Sequence, residues 1–84
     1  MKNYNFIHKF SILNNLIMAK IQLNGKKVVI NSKYSILDLL KKYNLANKKI
    51  AVEHNGVIVP KAMFKKRYLK NDDRIEIVQF IGGG

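Results

Sequence analysis

The sequence predicts an α+β domain in which a mixed sheet of four to five strands packs on one helix, in the order β-β-α-β-β-β. Two Asn-Gly pairs, Asn24-Gly25 and Asn55-Gly56, each divide two short apolar runs, a strong short-range hairpin signal. Between them, Ile36, Leu39, Leu40 and Tyr43 recur at helical spacing, so one amphipathic helix separates the hairpins. A last run, Arg74 to Phe80, alternates as a strand. The chain has 84 residues, the length of one domain, and a chain this short hides only about 60% of its unfolded surface on folding. There is no room for a second domain or a deep substrate cleft.

Residues 1–17 stand apart. They contain no acid and no glycine, and Phe6, Phe10, Leu13 and Ile17 follow one another as one face of a helix would. His8, Lys9, Asn14 and Asn15 interrupt the apolar positions and no small-residue cleavage site is evident, which makes a poor signal peptide. The stretch is also too short to span a bilayer. Two readings stay open for it: a misassigned start, with the protein beginning at Met18, or an amphipathic targeting or docking segment.

From Met18 the elements follow in order. Ala19, Ile21 and Leu23 alternate with Lys20 and Gln22, and beyond Asn24-Gly25 the run Lys27, Val28, Val29, Ile30 returns as the second strand. Ser35 is placed to cap the helix, with Asp38 as a shorter capping-box acid. Lys41 and Lys42 suit the negative end of its dipole. A polar connection through Asn44 and Asn47 leads to Ile50, Ala51, Val52 and Glu53, and past Asn55-Gly56 the strand Val57, Ile58, Val59 stops at Pro60. Residues 61–70 set Met63, Phe64, Tyr68 and Leu69 among five cations, which reads as a helical turn or irregular connection with a few core anchors. Asn71-Asp72-Asp73 has turn chemistry, because short polar side chains bond the neighbouring backbone. A hairpin, a crossing helix and a last strand returning to the sheet centre describe a ubiquitin-like β-grasp. The domain boundaries expected are 1–17 as an extension, 18–80 as the β-grasp domain and 81–84 as a flexible glycine tail.

Composition narrows the chemistry. Without cysteine there is no disulfide framework, no thiolate nucleophile, no sulfur-ligated metal and no side-chain thiol to carry sulfur. A reducing cytoplasm is the expected setting, with no membrane partner. Sixteen cations against five acids give +11, which points on its face to nucleic acid, an anionic membrane or an acidic protein. Fourteen of the cations are lysine, and with 10 Asn and 11 Ile the chain is dominated by residues with AT-rich codons, so genome composition competes as the cause. The lysines are spread along the chain, without the interleaved aromatics or arginines of single-strand binders. Nucleic acid is therefore not the expected partner.

Catalysis finds little purchase. Asp72 and Asp73 sit in an expected turn and Glu53 and Glu76 on expected strands, where solvated charges are the plainer reading than an acid-base pair. His8 and His54 lie far apart in sequence, so neither a metal site nor a nucleophile-base pair is indicated, and His54 is expected at the surface beside its hairpin turn. What remains is the end of the chain, where Gly82, Gly83 and Gly84 use three of the five glycines. A tail without Cβ atoms fits a channel too narrow for side chains and reaches roughly 16 Å from Phe80. Its carboxylate, with a reference pKa of about 3.5, is ionised at neutral pH and can attack the α-phosphate of ATP on a partner enzyme. The competing reading is a frayed or engineered terminus.

The hairpin of Ile21 to Ile30, the segment Asn55-Gly56-Val57-Ile58-Val59-Pro60, the run Asn71 to Val78 and the ending Phe80-Ile81-Gly82-Gly83-Gly84 together resemble the ThiS family of sulfur carrier proteins of thiamine biosynthesis. The likeness spans Met18 to Gly84; residues 1–17 have no counterpart in it. It implies a carrier and co-substrate, not an enzyme. It also implies an E1-like adenylyltransferase that activates Gly84 with MgATP, and a cysteine desulfurase route or sulfide that turns the adenylate into a C-terminal thiocarboxylate. Thiazole synthase would be the acceptor, building the thiamine thiazole ring. Gly84 would be the covalent carrier, Gly82 and Gly83 the slim approach, and Phe80 and Ile81 the anchor at the rim of the partner's channel; no cofactor is held stably. Other readings stay open: the small subunit of molybdopterin synthase, although its tail usually carries prolines before the glycines and this chain's single proline is Pro60; a protein-conjugating modifier or tRNA-thiolation carrier; and, in another class, a basic β-grasp module binding RNA or protein.

Overall fold

A computed structural model describes residues 17–80. The reading of residues 1–16 and of the tail from Ile81 to Gly84 lies outside that range. The elements are β1 (Met18–Leu23), β2 (Lys26–Asn31), α1 (Ile36–Lys42), β3 (Ile50–His54), β4 (Val57–Ile58), a 3-10 turn (Lys61–Met63) and β5 (Arg74–Gln79). They form one five-stranded sheet in the order β2-β1-β5-β3-β4. β5 runs parallel to β1, and the other neighbours are antiparallel. This is the β-grasp expected, with the last strand at the centre.

Both hairpins turn on their Asn-Gly pairs. Asn24 and Gly25 have φ of 50° and 83°, and Asn55 and Gly56 have 52° and 85°, the left-handed values that a tight type I′ connection demands. The register that follows places Ala19, Ile21 and Ile30 inward, and they meet Val52, Val59 and Ile75 in a core closed by Ile36, Leu39, Leu40, Phe64 and Leu69.

The short helix is satisfied at both ends. Asp38 N–H donates to Ser35 Oγ (3.2 Å) and Ser35 N–H to Asp38 Oδ2 (2.9 Å), completing the capping box. The first two helical N–H groups, which have no partner inside a helix, donate to the 64–67 loop: Ile36 to the Arg67 carbonyl and Leu37 to the Phe64 carbonyl, each at 2.9 Å. At the other end Asn44 takes φ of 59°, with Asn44 N–H donating to Lys41 O (3.1 Å) and Leu45 N–H to Leu40 O (2.7 Å). That is a Schellman closure with asparagine in the glycine position.

Two expectations are corrected here. Tyr43 does not extend the apolar face; it is the C-cap, where the chain leaves the helix, and it is exposed, while Leu37 half-buries against the core instead. The 61–70 segment is the helical turn and irregular connection expected, with Phe64 and Leu69 as its core anchors while Met63 and Tyr68 face solvent. The fourth strand is also shorter than Val57 to Val59: Val59 N–H still donates to the Val52 carbonyl (2.9 Å), but Pro60, which has no N–H to donate, follows at once. Among the described residues no helix is long and apolar enough to cross a membrane.

Candidate functional site

The two ends of β5 have opposite surroundings. At its C-terminal end Gln79 pairs with Ile50, and Phe80 N–H makes the last described bond, to the Lys49 carbonyl (2.9 Å). On either side of Gln79, Val78 and Phe80 stand 58% and 56% exposed. Beside Phe80 opens a groove of about 510 Å³, lined in part by Ala46, Lys48, Lys49, Ile50 and Lys61. The chain therefore leaves the sheet centre at an open, basic, partly apolar edge, one residue before Ile81-Gly82-Gly83-Gly84.

The N-terminal end is held by side chains from three turns. The Asp73 carboxylate, 2% exposed as a residue, accepts from Asn55 Nδ2 (3.0 Å), from Lys70 N–H (2.9 Å) and from His54 Nε2 (2.8 Å). An ionised carboxylate can only accept, so the His54 proton lies on Nε2. Burial pushes the Asp73 pKa upward, but the Asn55, His54 and Lys70 hydrogen bonds and the His54 charge outweigh it, and the net shift is below the ordinary carboxylate value. Asn55 Oδ1 in turn accepts from Arg74 N–H (2.7 Å). On the other side of β5, Asn24 Oδ1 accepts from Ile77 N–H (2.7 Å) and Asn24 Nδ2 donates to Ile77 O (3.3 Å). The β1–β5 ladder covers only Gln22↔Arg74 and Leu23↔Ile75, so the Asn24 side chain continues it where the backbone has already turned away. Asn71 Oδ1 adds a bond from Lys20 N–H (2.8 Å).

These geometries agree with the family comparison, in which the model described as "ThiS family" matches residues 12–84. The chain belongs to the ThiS family of sulfur carrier proteins. It is 45% identical over 65 residues to "Sulfur carrier protein ThiS" of Bacillus subtilis (strain 168), covering 76% of this chain and 98% of that one. It is 31% identical over 64 residues to "Uncharacterized protein ycf40" of Pyropia yezoensis, covering 76% and 90%. A third relative, "Thiazole synthase" of Paramagnetospirillum magneticum, is 35% identical over 65 residues, which span 77% of this chain but 20% of that protein. The crystal structure of the thiamine biosynthesis protein ThiS from Geobacter metallireducens superposes with a TM-score of 0.67 at 26% identity, covering 77% of this chain and 99% of that one.

The ThiS-like segment Asn55-Gly56-Val57-Ile58-Val59-Pro60 now has a physical reading. Asn55 ties the turn to β5, Gly56 supplies the left-handed φ, Val59 fills the core at 3% exposure and Pro60 leads into the 3-10 turn. Of the expected tail-recognition residues, Phe80 is exposed just past the C-terminal end of β5, while Ile81, Gly82, Gly83 and the proposed carrier Gly84 fall outside the described residues.

His54 is not the surface residue expected, and Asp73 is not a solvated turn charge. The His54 side chain is 11% exposed and the Asp73 side chain 3%, because the 54–56 and 71–73 turns, 19 positions apart, close on each other. The one signal in the sequence was a pair of Asn-Gly turns together with an Asn-Asp-Asp turn, all rich in side chains that bond backbone. Among the described residues no group of three or more His, Cys, Asp or Glu could hold a metal.

Proposed function

We propose that this chain carries sulfur on the carboxyl group of Gly84 for formation of the thiamine thiazole ring, acting as a co-substrate of other enzymes. The observation that carries the reading is the exit of the central strand β5 at the exposed Phe80, directly before Ile81-Gly82-Gly83-Gly84, in a chain of the ThiS family. Gly84 carboxylate attacks the α-phosphorus of MgATP on an E1-like adenylyltransferase; the bond to pyrophosphate breaks and an acyl-adenylate forms. Hydrosulfide, or sulfur passed on from a cysteine desulfurase, then attacks the acyl carbon. The acyl C–O bond breaks and AMP leaves; hydrosulfide gives the thiocarboxylate directly, whereas a desulfurase-derived persulfide gives an acyl disulfide whose S–S bond a thiol reductant then cleaves to the thiocarboxylate.

Gly82 and Gly83 keep the approach narrow enough for the adenylating site, and Phe80 and Ile81 bear on its rim. Thiazole synthase is the acceptor, supported by the thiazole synthase relatives that contain a stretch similar to this chain within their own length. The folded part that presents the tail is 18–80, and the setting is the cytoplasm. ATP–pyrophosphate exchange by an E1-like adenylyltransferase tests the reading: the chain stimulates exchange and the chain lacking Gly84 does not. Equal stimulation by both would overturn it.

A further inference from the structure

We infer that the groove beside Phe80 is the docking site for an acidic segment of the adenylyltransferase that charges Gly84. The inference rests on the function proposed above and adds the place and chemistry of contact. Three observations carry it.

The first is the distribution of acids. Asp38 is bonded within the helix cap and Asp73 within its cluster. Asp72 lies in the turn before β5, and Glu53 and Glu76 face each other across β3 and β5 beside Arg74. These five are all the acids of the chain, and none lines the groove, whose cations are Lys48, Lys49 and Lys61. The second is continuity. Lys48, Ala46 and Asn47 also wall a smaller depression with Lys41 and Asn44 at the C-terminal end of α1, so one basic surface runs from the helix end to the start of the tail. A helix C-terminus carries negative partial charge, and lysines there present positive charge outward from it. The third is reach. From Phe80 to Gly84 the chain extends roughly 16 Å at about 3.3 Å per residue. An enzyme holding the Gly84 carboxylate in its active site must therefore lie against the molecule close to Phe80, and over this groove.

A protein segment fits better than nucleic acid. The groove's cations are lysines, and of its two aromatic residues Phe64 is buried in the core, leaving Phe80 alone where base stacking needs a succession of exposed rings. Ala46, Ile50 and Phe80 give it the apolar component of a protein contact, and the lysines steer carboxylates toward it.

The test uses the adenylyltransferase that supports exchange with the wild-type chain. Lys48→Glu, Lys49→Glu and Lys61→Glu are combined, against a control that reverses Lys26, Lys27 and Lys33, on and just past the β2 edge, for the same change in net charge. Circular dichroism melts check that both fold, and the corresponding Lys→Gln set serves if the Glu set does not. The groove variant should raise KM for the carrier about tenfold with kcat nearly unchanged, and the difference should shrink as salt is added. The control should move KM much less. Equal KM changes in the two variants overturn the groove proposal while leaving the carrier reading intact, and a wild-type chain that supports no exchange overturns both. Loss of binding to a single-stranded RNA oligonucleotide in the groove variant, with KM unmoved, would also overturn it and assign the surface to nucleic acid.

Discussion

The two ends of β5 belong to one six-residue strand and are built on opposite rules. Just before Arg74 the chain is held by side chains, Asp73 accepting from three donors; Asn55 then clasps the strand at Arg74 and Asn24 clasps it from the other side at Ile77. After Gln79 one backbone bond, Phe80 to Lys49, is the last tie described, and the Phe80 side chain is left exposed. A segment to be threaded into another protein must be free at its tip and firmly held at its root. Buried charged hydrogen bonds at the root supply the hold, because breaking them leaves desolvated donors unpaired.

That contrast predicts that variants at the two ends separate function from stability. The largest effect belongs to the tail. Gly83→Val should lower the rate of adenylation at least about a hundredfold, as misplacement near a reacting group does. Its melting temperature should be unchanged, and a normal rate in that variant would remove the role given to the glycines.

At the root, Asp73→Ala leaves three donors without their acceptor and should cost about 3 kcal/mol, a fall in melting temperature of roughly 15 °C for a domain this size. Adenylation below the melting temperature, at saturating carrier, should persist. A stable Asp73→Ala chain that cannot be charged would invert the comparison.

Asp73 also gives the root a pH dependence. Its pKa is lower in the folded chain than in the unfolded one, so its contribution is complete above the ordinary carboxylate pKa. That contribution is lost progressively below about pH 5 as acid protonates the unfolded and then the folded form. Denaturant melts across that range should fall more steeply for the wild type than for Asp73→Asn, which has no proton to take up. Parallel curves would mean that the carboxylate is not what holds the root.

Smaller effects sharpen the picture. Asn24→Ala removes both bonds to Ile77 and places alanine at φ of 50°. It should cost about 1–2 kcal/mol in chemical denaturation. Phe80→Ala, at an exposed position, should cost under about 0.5 kcal/mol of stability and act instead on KM for the carrier.

The same contrast explains what could be read from the sequence. Both hairpins, the capped helix and the central last strand were legible because each is encoded locally, by Asn-Gly pairs, by Ser35 with Asp38 and by alternation from Arg74. The role read into Gly82, Gly83 and Gly84 falls outside the described residues and stands as the proposal made above. The root was not legible. Nothing local says that His54 and Asp73 meet, since two polar turns look alike whether they face water or one another. Their burial follows only from sheet order, which brings the 71–73 turn between the two Asn-Gly turns. Asn24 was equally hidden: its turn propensity was visible, its bonding to Ile77 across 53 positions was not. Tyr43 shows the opposite failure, a correct helical spacing carried one residue beyond the helix.

The central claim is that Gly84 carries sulfur, and the most direct measurement is the intact mass of the chain before and after incubation with MgATP, a sulfide source and the adenylyltransferase. The expected result is replacement of one oxygen by sulfur, localised to the C-terminal peptide and absent when Gly84 is deleted. An unchanged mass with an enzyme that demonstrably adenylates the chain, or sulfur located anywhere but the C-terminal peptide, would contradict it.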